Sequence, residues 1–138
     1  MYSRILVPVD LEHADKLVKA LDIAGKTAKE HDATVFYVGV VDAVPTTSAK
    51  TEGSEAKALL DEFAADQAHK YGIKVSDHVA LRGDLHLNIG SDVIDSAKKF
   101  DCDLIIMASH VPGLKEHILA SNAGYVASHA PMSVFVVR

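Results

Sequence analysis

The sequence predicts an α/β fold, a single domain of 138 residues built on a parallel sheet. Short apolar runs rich in valine and isoleucine, typical of strands buried on both faces, alternate with amphipathic segments of helical period. Proline, glycine and small polar residues separate the two kinds of segment. The count is five strands and four helices in the order βαβαβαβαβ, and that alternation indicates a doubly wound sheet with helices on both faces.

The amino-terminal half supplies three strands and two helices. Proline cannot donate to a sheet ladder, so Pro8 is expected at the end of the first strand or at a bulge. The third strand is more polar than the others, as an edge strand should be. The predicted elements are strands 5–10, 33–41 and 73–81, helices 13–31 and 54–71, and a surface loop at 42–53. The apolar helix faces comprise Leu17, Val18, Leu21, Ala24 and Ala28, then Leu59, Leu60, Phe63, Ala64 and Ala68.

The carboxyl-terminal half supplies the third helix and a βαβ unit. The third helix is predicted over 92–100, with Val93, Ile94 and Ala97 inward. Two apolar runs, 104–107 and 133–137, are predicted strands, and the helix between them can be capped by Ser121 or Asn122. In a parallel sheet this unit should cross over with right-handed chirality.

Composition narrows the class of protein. No run approaches the ~20 apolar residues of a membrane span, and none resembles a secretory signal. A net charge of -5 without a basic run argues against nucleic acid or an anionic membrane as partner. The single cysteine, Cys102, cannot form an internal disulfide and fits a reducing compartment, so we expect a cytoplasmic protein.

A ligand site is predicted where the strand order reverses. In a doubly wound sheet, ligands bind beyond the carboxyl ends of the strands at that switch point. If the chain winds out to strands two and three and then returns, the switch lies between strand one, ending in Asp10, and strand four, followed by Ser109 and His110. The helix start at 121–123 would supply free N–H groups that favour phosphate. Spacing alone leaves two interpretations, a small anionic ligand or a serine that only caps the helix.

Four segments, 4–10, 38–42, 102–110 and 130–138, resemble the universal stress protein family, and the resemblance covers nearly the whole chain. The Ala-Ser-His-x-Pro run is especially similar to the enterobacterial UspF-like subgroup. The resemblance implies a Rossmann-like sheet of order 3-2-1-4-5 and a regulatory role in a cytoplasmic stress response. The loop at 84–90 is longer than is usual in the family, and the sequence assigns it no role.

The resemblance also implies an adenine nucleotide site. ATP-binding members carry Gly-x2-Gly-x9-Gly-Ser/Thr after strand four; here Ala108, Val111 and Ala120 replace the glycines, and Ser121 is retained. The UspF-like subgroup deviates at the same place and is still expected to bind ATP. We therefore expect ATP, ADP or AMP, with or without Mg²⁺, and no metal bound by the protein itself. The expected binding residues are Pro8, Val9, Asp10, Val41, Ala108, Ser109, His110, Pro112, Ala120, Ser121, Asn122 and Ala123.

Two other functions compete with nucleotide binding. UspA-like members without the glycine signature imply a nucleotide-free, dimeric interaction module. Slow ATP hydrolysis or autophosphorylation ranks third, because the sequence shows no general base or metal cluster that demands it. Ser109 and His110 with Asp10 could suggest a hydrolytic triad, but the Gly-x-Ser-x-Gly turn is absent. The histidines show no metal-ligand spacing, and His13, near a helix end, is expected at the solvated surface.

The last strand predicts self-association. The run 132–137 is apolar, lies at one edge of the predicted sheet and would invite pairing if left exposed. A two-fold homodimer in which this strand pairs antiparallel with its copy would cover it. The family resemblance implies the same contact, in a dimer or a dimer of dimers.

Overall fold

The computed structural model describes residues 1–42, 49–82, 89–109 and 122–138. A short 3-10 helix follows the first strand, and strands and α-helices then alternate to the end of the chain. Among the described helices, none is long and apolar enough to cross a membrane. The elements are β1 Arg4–Val9, the 3-10 helix η1 Leu11–Lys16, α1 Val18–His31, β2 Thr34–Asp42, α2 Ala49–Tyr71, β3 Lys74–Arg82, α3 Ile89–Lys99, β4 Leu104–Ala108, α4 Ala123–His129 and β5 Ser133–Val137.

The five strands form one parallel sheet of order β3-β2-β1-β4-β5, which confirms the predicted order. The ladder between β1 and β2 continues to Val9, whereas β1 pairs with β4 only at Ile5 and Leu6. Pro8 is the penultimate residue of β1, beyond the last β1–β4 pair, as predicted for a residue without a backbone donor. The two central strands therefore separate before their carboxyl ends.

The sheet is covered on both faces, as the alternation predicted. Side chains of α1 and α2 pack with Ile5, Val7 and Val9 of β1. Those of α3 and α4 pack with Leu6 and with the side chains on the opposite face of the sheet. Successive strand residues point to opposite faces, so apolar residues in unbroken runs are needed to fill both layers. The fully buried residues include Tyr37, Leu60, Val93, Ile105, Ile106 and Val126.

One carboxylate joins the amino-terminal ends of β1 and β4. Asp103, just before β4, accepts hydrogen bonds from the backbone N–H of Ser3 at 2.9 Å and from the Ser3 hydroxyl at 3.0 Å. It also accepts from the N–H of Arg4 at 3.0 Å, and the Arg4 guanidinium donates to the Phe100 carbonyl at 2.7 Å. These contacts hold together two strands that share only two ladder positions.

Several local predictions are wrong in their helix phase or bounds. Val18 and Leu59, predicted to lie in the core, are 55% and 58% exposed. The chain passes through η1, in which His13 departs from helical dihedral angles, before α1 begins, so Val18 follows buried Leu17 on the outer side. In α2 the buried residues Ala56, Leu60 and Ala64 recur every four positions, and Leu59 lies about 100° around the helix from Leu60.

Helix starts also differ from the predictions. α2 begins at Ala49 rather than at residue 54, and α3 begins at Ile89 rather than at residue 92. Residues 49–53 of the predicted 42–53 loop are therefore helical, and α2 accommodates Gly53 inside the helix. Most of the 84–90 loop lies outside the described residues.

Candidate functional site: the crevice between β1 and β4

The candidate site, called the crevice below, lies beyond the point where the β1–β4 ladder ends. The β1–β4 ladder ends at Leu6, whereas β4 stays paired with β5 up to Ala108, and the Ser109 N–H extends that pairing by donating to the Val137 carbonyl at 2.8 Å. Leu11 and Ala108 both pack at the border of the apolar cluster beneath α1 and α2. The carboxyl ends of the two strands are thus on the same edge of the sheet, at the reversal of strand order.

The structure describes eight of the twelve predicted binding residues. Pro8 and Val9 end β1, and the side chain of Val9 is fully buried. Val41 is near the end of β2, beside Leu81 of β3, and is described by its backbone only. The remaining four, His110, Pro112, Ala120 and Ser121, lie outside the described residues.

Asp10 organises the first turn after β1. One carboxylate oxygen, Oδ1, accepts from the Glu12 N–H at 3.1 Å, and the other, Oδ2, bonds to Nδ1 of His13 at 2.9 Å. The Asp10 carbonyl also accepts from the His13 N–H at 3.1 Å. The side chain of Asp10 is 18% exposed and that of His13 is 37% exposed. Asp10 thus caps the 3-10 helix η1, and both of its carboxylate oxygens are held by hydrogen bonds directly after the carboxyl end of β1.

His13 is a functional candidate that the sequence reasoning missed. The Asp10 hydrogen bond, more than the nearby charges of Asp10, Glu12 and Asp15, raises the pKa of His13 above 6.5, while partial desolvation opposes the rise. Its ring is 37% exposed, in line with the expected place at the solvated surface, and it is also paired with Asp10, which was not expected. The Asp-x-x-His spacing directly after a predicted strand was the available signal. Side-chain oxygen or nitrogen atoms of Asp10, Glu12 and His13 lie within 4.8 Å of one another, an arrangement that exposed acidic groups commonly adopt without an ion.

Ser109 carries a polar atom without a partner. Its side-chain oxygen is buried and makes no hydrogen bond to any other described residue. Buried hydroxyls in native proteins are almost always bonded, and a serine hydroxyl can both donate and accept. Within the described part of the chain, the Ser109 hydroxyl is thus a buried polar group without a partner, directly after the carboxyl end of β4.

The start of α4 differs from the predicted helix cap. Asn122 has helical dihedral angles, φ -100° and ψ -8°, and its side chain makes no capping hydrogen bond. Ala123 is buried with its methyl group in the core between the sheet and α3. Neither side chain caps the start of α4.

The whole chain, residues 1–138, matches the model of the universal stress protein family. Universal stress protein G of Salmonella typhimurium is 26% identical over 144 residues, and the alignment covers 100% of both chains.

Solved structures show the same fold. The universal stress protein of Archaeoglobus fulgidus in complex with dAMP superposes with a TM-score of 0.72 at 23% identity, covering 99% of this chain and 98% of that one. A universal stress protein in complex with cAMP gives a TM-score of 0.70 at 18% identity, covering 99% and 97% of the two chains. At these identities the likeness establishes the fold, and the nucleotides are properties of those two proteins.

Proposed function

Because the chain belongs to the universal stress protein family, we propose that it binds an adenine nucleotide in the crevice between β1 and β4, as a regulatory ligand in a cytoplasmic stress response. The observation that carries the proposal is the buried Ser109 hydroxyl without a partner among the described residues. Ser109 directly follows β4 at the reversal of strand order, and folds of this class bind nucleotides at that point. Two relatives of the same fold bind adenine mononucleotides, dAMP and cAMP.

The adenine end of the proposed site lies at β1. Val9 would border the base at the end of β1, and the partly exposed Asp10 carboxylate can accept a hydrogen bond from the adenine amino group. Val41 would border the base from β2. Aromatic bases bind in mostly apolar slots that contain a few placed polar groups, and this end of the crevice has both.

The sugar–phosphate end lies at β4 and α4. Ser109 is suited to a ribose hydroxyl or a phosphate oxygen, because its side chain can donate as well as accept. The backbone N–H groups at Asn122 and Ala123 would face the phosphates, together with the predicted contacts His110, Pro112, Ala120 and Ser121. ATP, ADP or AMP would satisfy this arrangement, and Mg²⁺ would be carried by the phosphates.

Calorimetry tests the proposal directly. ATP, ADP and AMP are titrated into the protein with and without Mg²⁺, and the native protein is examined by mass spectrometry for carried nucleotide. We expect Ser109→Ala to weaken binding by about two- to tenfold, the effect of one hydrogen bond. Ser128→Ala is the matched control, because that exposed hydroxyl only donates to the Gly124 carbonyl within α4.

Absence of heat and of carried nucleotide would refute the nucleotide proposal. It would favour the nucleotide-free dimeric module instead. Equal weakening by Ser109→Ala and Ser128→Ala would show that Ser109 is not a contact.

A homodimer through β5 is the second proposal, and Phe135 supports it. This side chain is 47% exposed on an edge strand, whereas the other edge strand, β3, carries Lys74, Asp77 and His78. Charged residues protect an edge from pairing, and β5 has none between Ser133 and Val137. The Val137 carbonyl points to β4, so the backbone groups of Val134 and Val136 point to the free edge. An antiparallel pairing of β5 with its copy would satisfy them.

Light scattering tests this association. Each chain has a mass of 14.8 kDa, so the proposal expects twice that mass at micromolar concentration, or four times for a dimer of dimers. A particle of 14.8 kDa under those conditions would refute it.

A further inference from the structure

The Asp10 carboxylate is already engaged inside the protein. Oδ1 accepts from the Glu12 N–H, and Oδ2 is bonded to the His13 ring at 2.9 Å. A second bond, from the His13 N–H to the Asp10 carbonyl, fixes the histidine backbone beside the aspartate. An adenine amino group would therefore meet a carboxylate that has an internal partner, and that partner is a titratable side chain.

The electrostatic surroundings of His13 favour its protonated form. Among the described residues, the charges acting on it are those of Asp10, Glu12 and Asp15, and all three are negative. The lysine of η1, Lys16, is paired with Asp15, and its Nζ lies 3.9 Å from Oδ2 of that residue. The Asp10 bond and these charges raise the pKa of His13, and partial desolvation opposes them. A histidine side chain ordinarily gains or loses its proton near neutral pH, because its unperturbed pKa is about 6.5.

We propose that His13 is a proton-dependent latch on Asp10, which weakens nucleotide binding when it is protonated. The inference rests on the proposed nucleotide site. A protonated imidazole donates from both ring nitrogens and is held against the carboxylate by charge. A neutral imidazole has a single N–H: on Nδ1 it still donates to Asp10 but without the charge, and on Nε2 it leaves Nδ1 bare. Loss of the proton therefore weakens the hold of His13 on Oδ2 and makes this oxygen easier for the base to engage.

The sign of the effect follows by linkage. The Asp10 bond raises the pKa of His13, so its contribution is fully present below pH 6.5 and is lost as pH rises through the raised value. A nucleotide that displaces His13 from Oδ2 of Asp10 removes the interaction that favours the protonated imidazole. Binding should therefore lower the pKa of His13 and release a proton, and affinity should rise with pH.

The experiment is ATP calorimetry at about pH 5.5, below the ordinary pKa of a histidine, and at about pH 8.5, about two units above it. We expect the ratio of the two dissociation constants to be larger for the wild type than for His13→Gln by about two- to fivefold, the range of an exposed ion pair. Titration of the ATP phosphates is common to all variants and cancels in this comparison. His69→Gln is the matched control, since it removes one exposed histidine on α2 and should keep the wild-type ratio.

A second measurement does not need the nucleotide. The His13 ring is titrated by NMR in the ligand-free protein, where Asp10→Asn should lower its pKa. Three results would overturn the latch: an unchanged His13 pKa in Asp10→Asn, a wild-type pH ratio retained in His13→Gln, or tighter ATP binding at the lower pH. If ATP fails to bind at any pH, the latch and the nucleotide site both fail; ATP binding with the same pH ratio in both proteins rejects the latch alone.

Discussion

Replacing Asp103 by asparagine should destabilise the fold measurably. Asp103 accepts from the Ser3 N–H, the Ser3 hydroxyl and the Arg4 N–H at the amino-terminal ends of β1 and β4. Asparagine keeps one acceptor oxygen and turns an amide NH₂ toward donors that need an acceptor. The side-chain volume hardly changes, so the measured effect reports the hydrogen bonds and the charge.

The magnitude follows from those bonds. A hydrogen bond to a charged acceptor contributes about 1.5–3 kcal/mol. Ser3 is exposed and the donors share one carboxylate, so the losses do not add, and we expect about 2 kcal/mol at pH 7. An unfolding entropy of about 2.1 cal/mol/K per residue gives about 0.29 kcal/mol/K for this chain, and 2 kcal/mol therefore lowers Tm by about 7 °C.

The pH dependence of the stability difference separates the effect of the Asp103 charge from an effect of side-chain packing. Partial burial tends to raise the pKa of Asp103, but the hydrogen bonds from Ser3 and Arg4 outweigh it and hold the pKa below 3.8. A carboxylate with a lowered folded pKa stabilises above its unfolded pKa, and the contribution is lost as pH falls through the folded value. The difference between wild type and Asp103→Asn should therefore shrink below about pH 4.

The assay is urea unfolding from pH 7 down to pH 3, followed by circular dichroism. Asp66→Asn, an exposed change on α2, is the control and should shift the unfolding free energy by under about 0.5 kcal/mol. An Asp103→Asn protein as stable as the control at pH 7, or a deficit that stays constant to pH 3, would contradict the reasoning.

Three further substitutions test the core and the sheet edge. Tyr37→Phe removes a fully buried hydroxyl that has no partner among the described residues, so the unfolding free energy should rise by about 1 kcal/mol; a fall would show that the hydroxyl is satisfied. Gly25→Ala places a methyl group against the Tyr71 ring and should cost about 1–3 kcal/mol in thermal unfolding, whereas Gly124→Ala, with open space around it, should not destabilise. Val136→Pro removes a donor from the free edge of β5 and should shift the light-scattering mass to monomer or aggregate. Val136→Ala keeps that donor and should stay dimeric, and two dimeric variants would argue against the β5 interface.

The sheet could be predicted from the sequence because burial on both faces leaves an unbroken apolar run in each strand. Ile5, Ile105 and Val35 are apolar for that reason, and each is fully buried. Helix phase was less predictable. Val18 and Leu59 are apolar residues next to true core positions, and only the orientation of a helix on the sheet decides which neighbour is buried. The 3-10 helix was missed because the local Asp10 hydrogen bonds that form this turn leave no apolar pattern in the sequence.

The candidate site was predictable in place and less so in detail. Asp10 and Ser109 were expected at the reversal of strand order, and the structure places both at that edge. The partnership of Asp10 with His13 was not expected, because a histidine three residues after an aspartate is usually unremarkable in sequence. A buried hydroxyl without a partner, such as that of Ser109, depends on the burial of a single atom, which no spacing pattern records.

The short β1–β4 ladder divides the hydrogen bonds of the sheet into two blocks, and we expect their amide protons to exchange as separate units. One block has three strands, joined by six and nine ladder positions, and the other has two strands joined by five; two positions connect the blocks. Native-state opening follows such weak boundaries, so the β4–β5 amides should become unprotected without loss of protection in β2. Asp103 links the two blocks at the amino-terminal ends of β1 and β4. A molecule bound between Asp10 and Ser109 would link them at the carboxyl ends, and we would then expect the two blocks to open together.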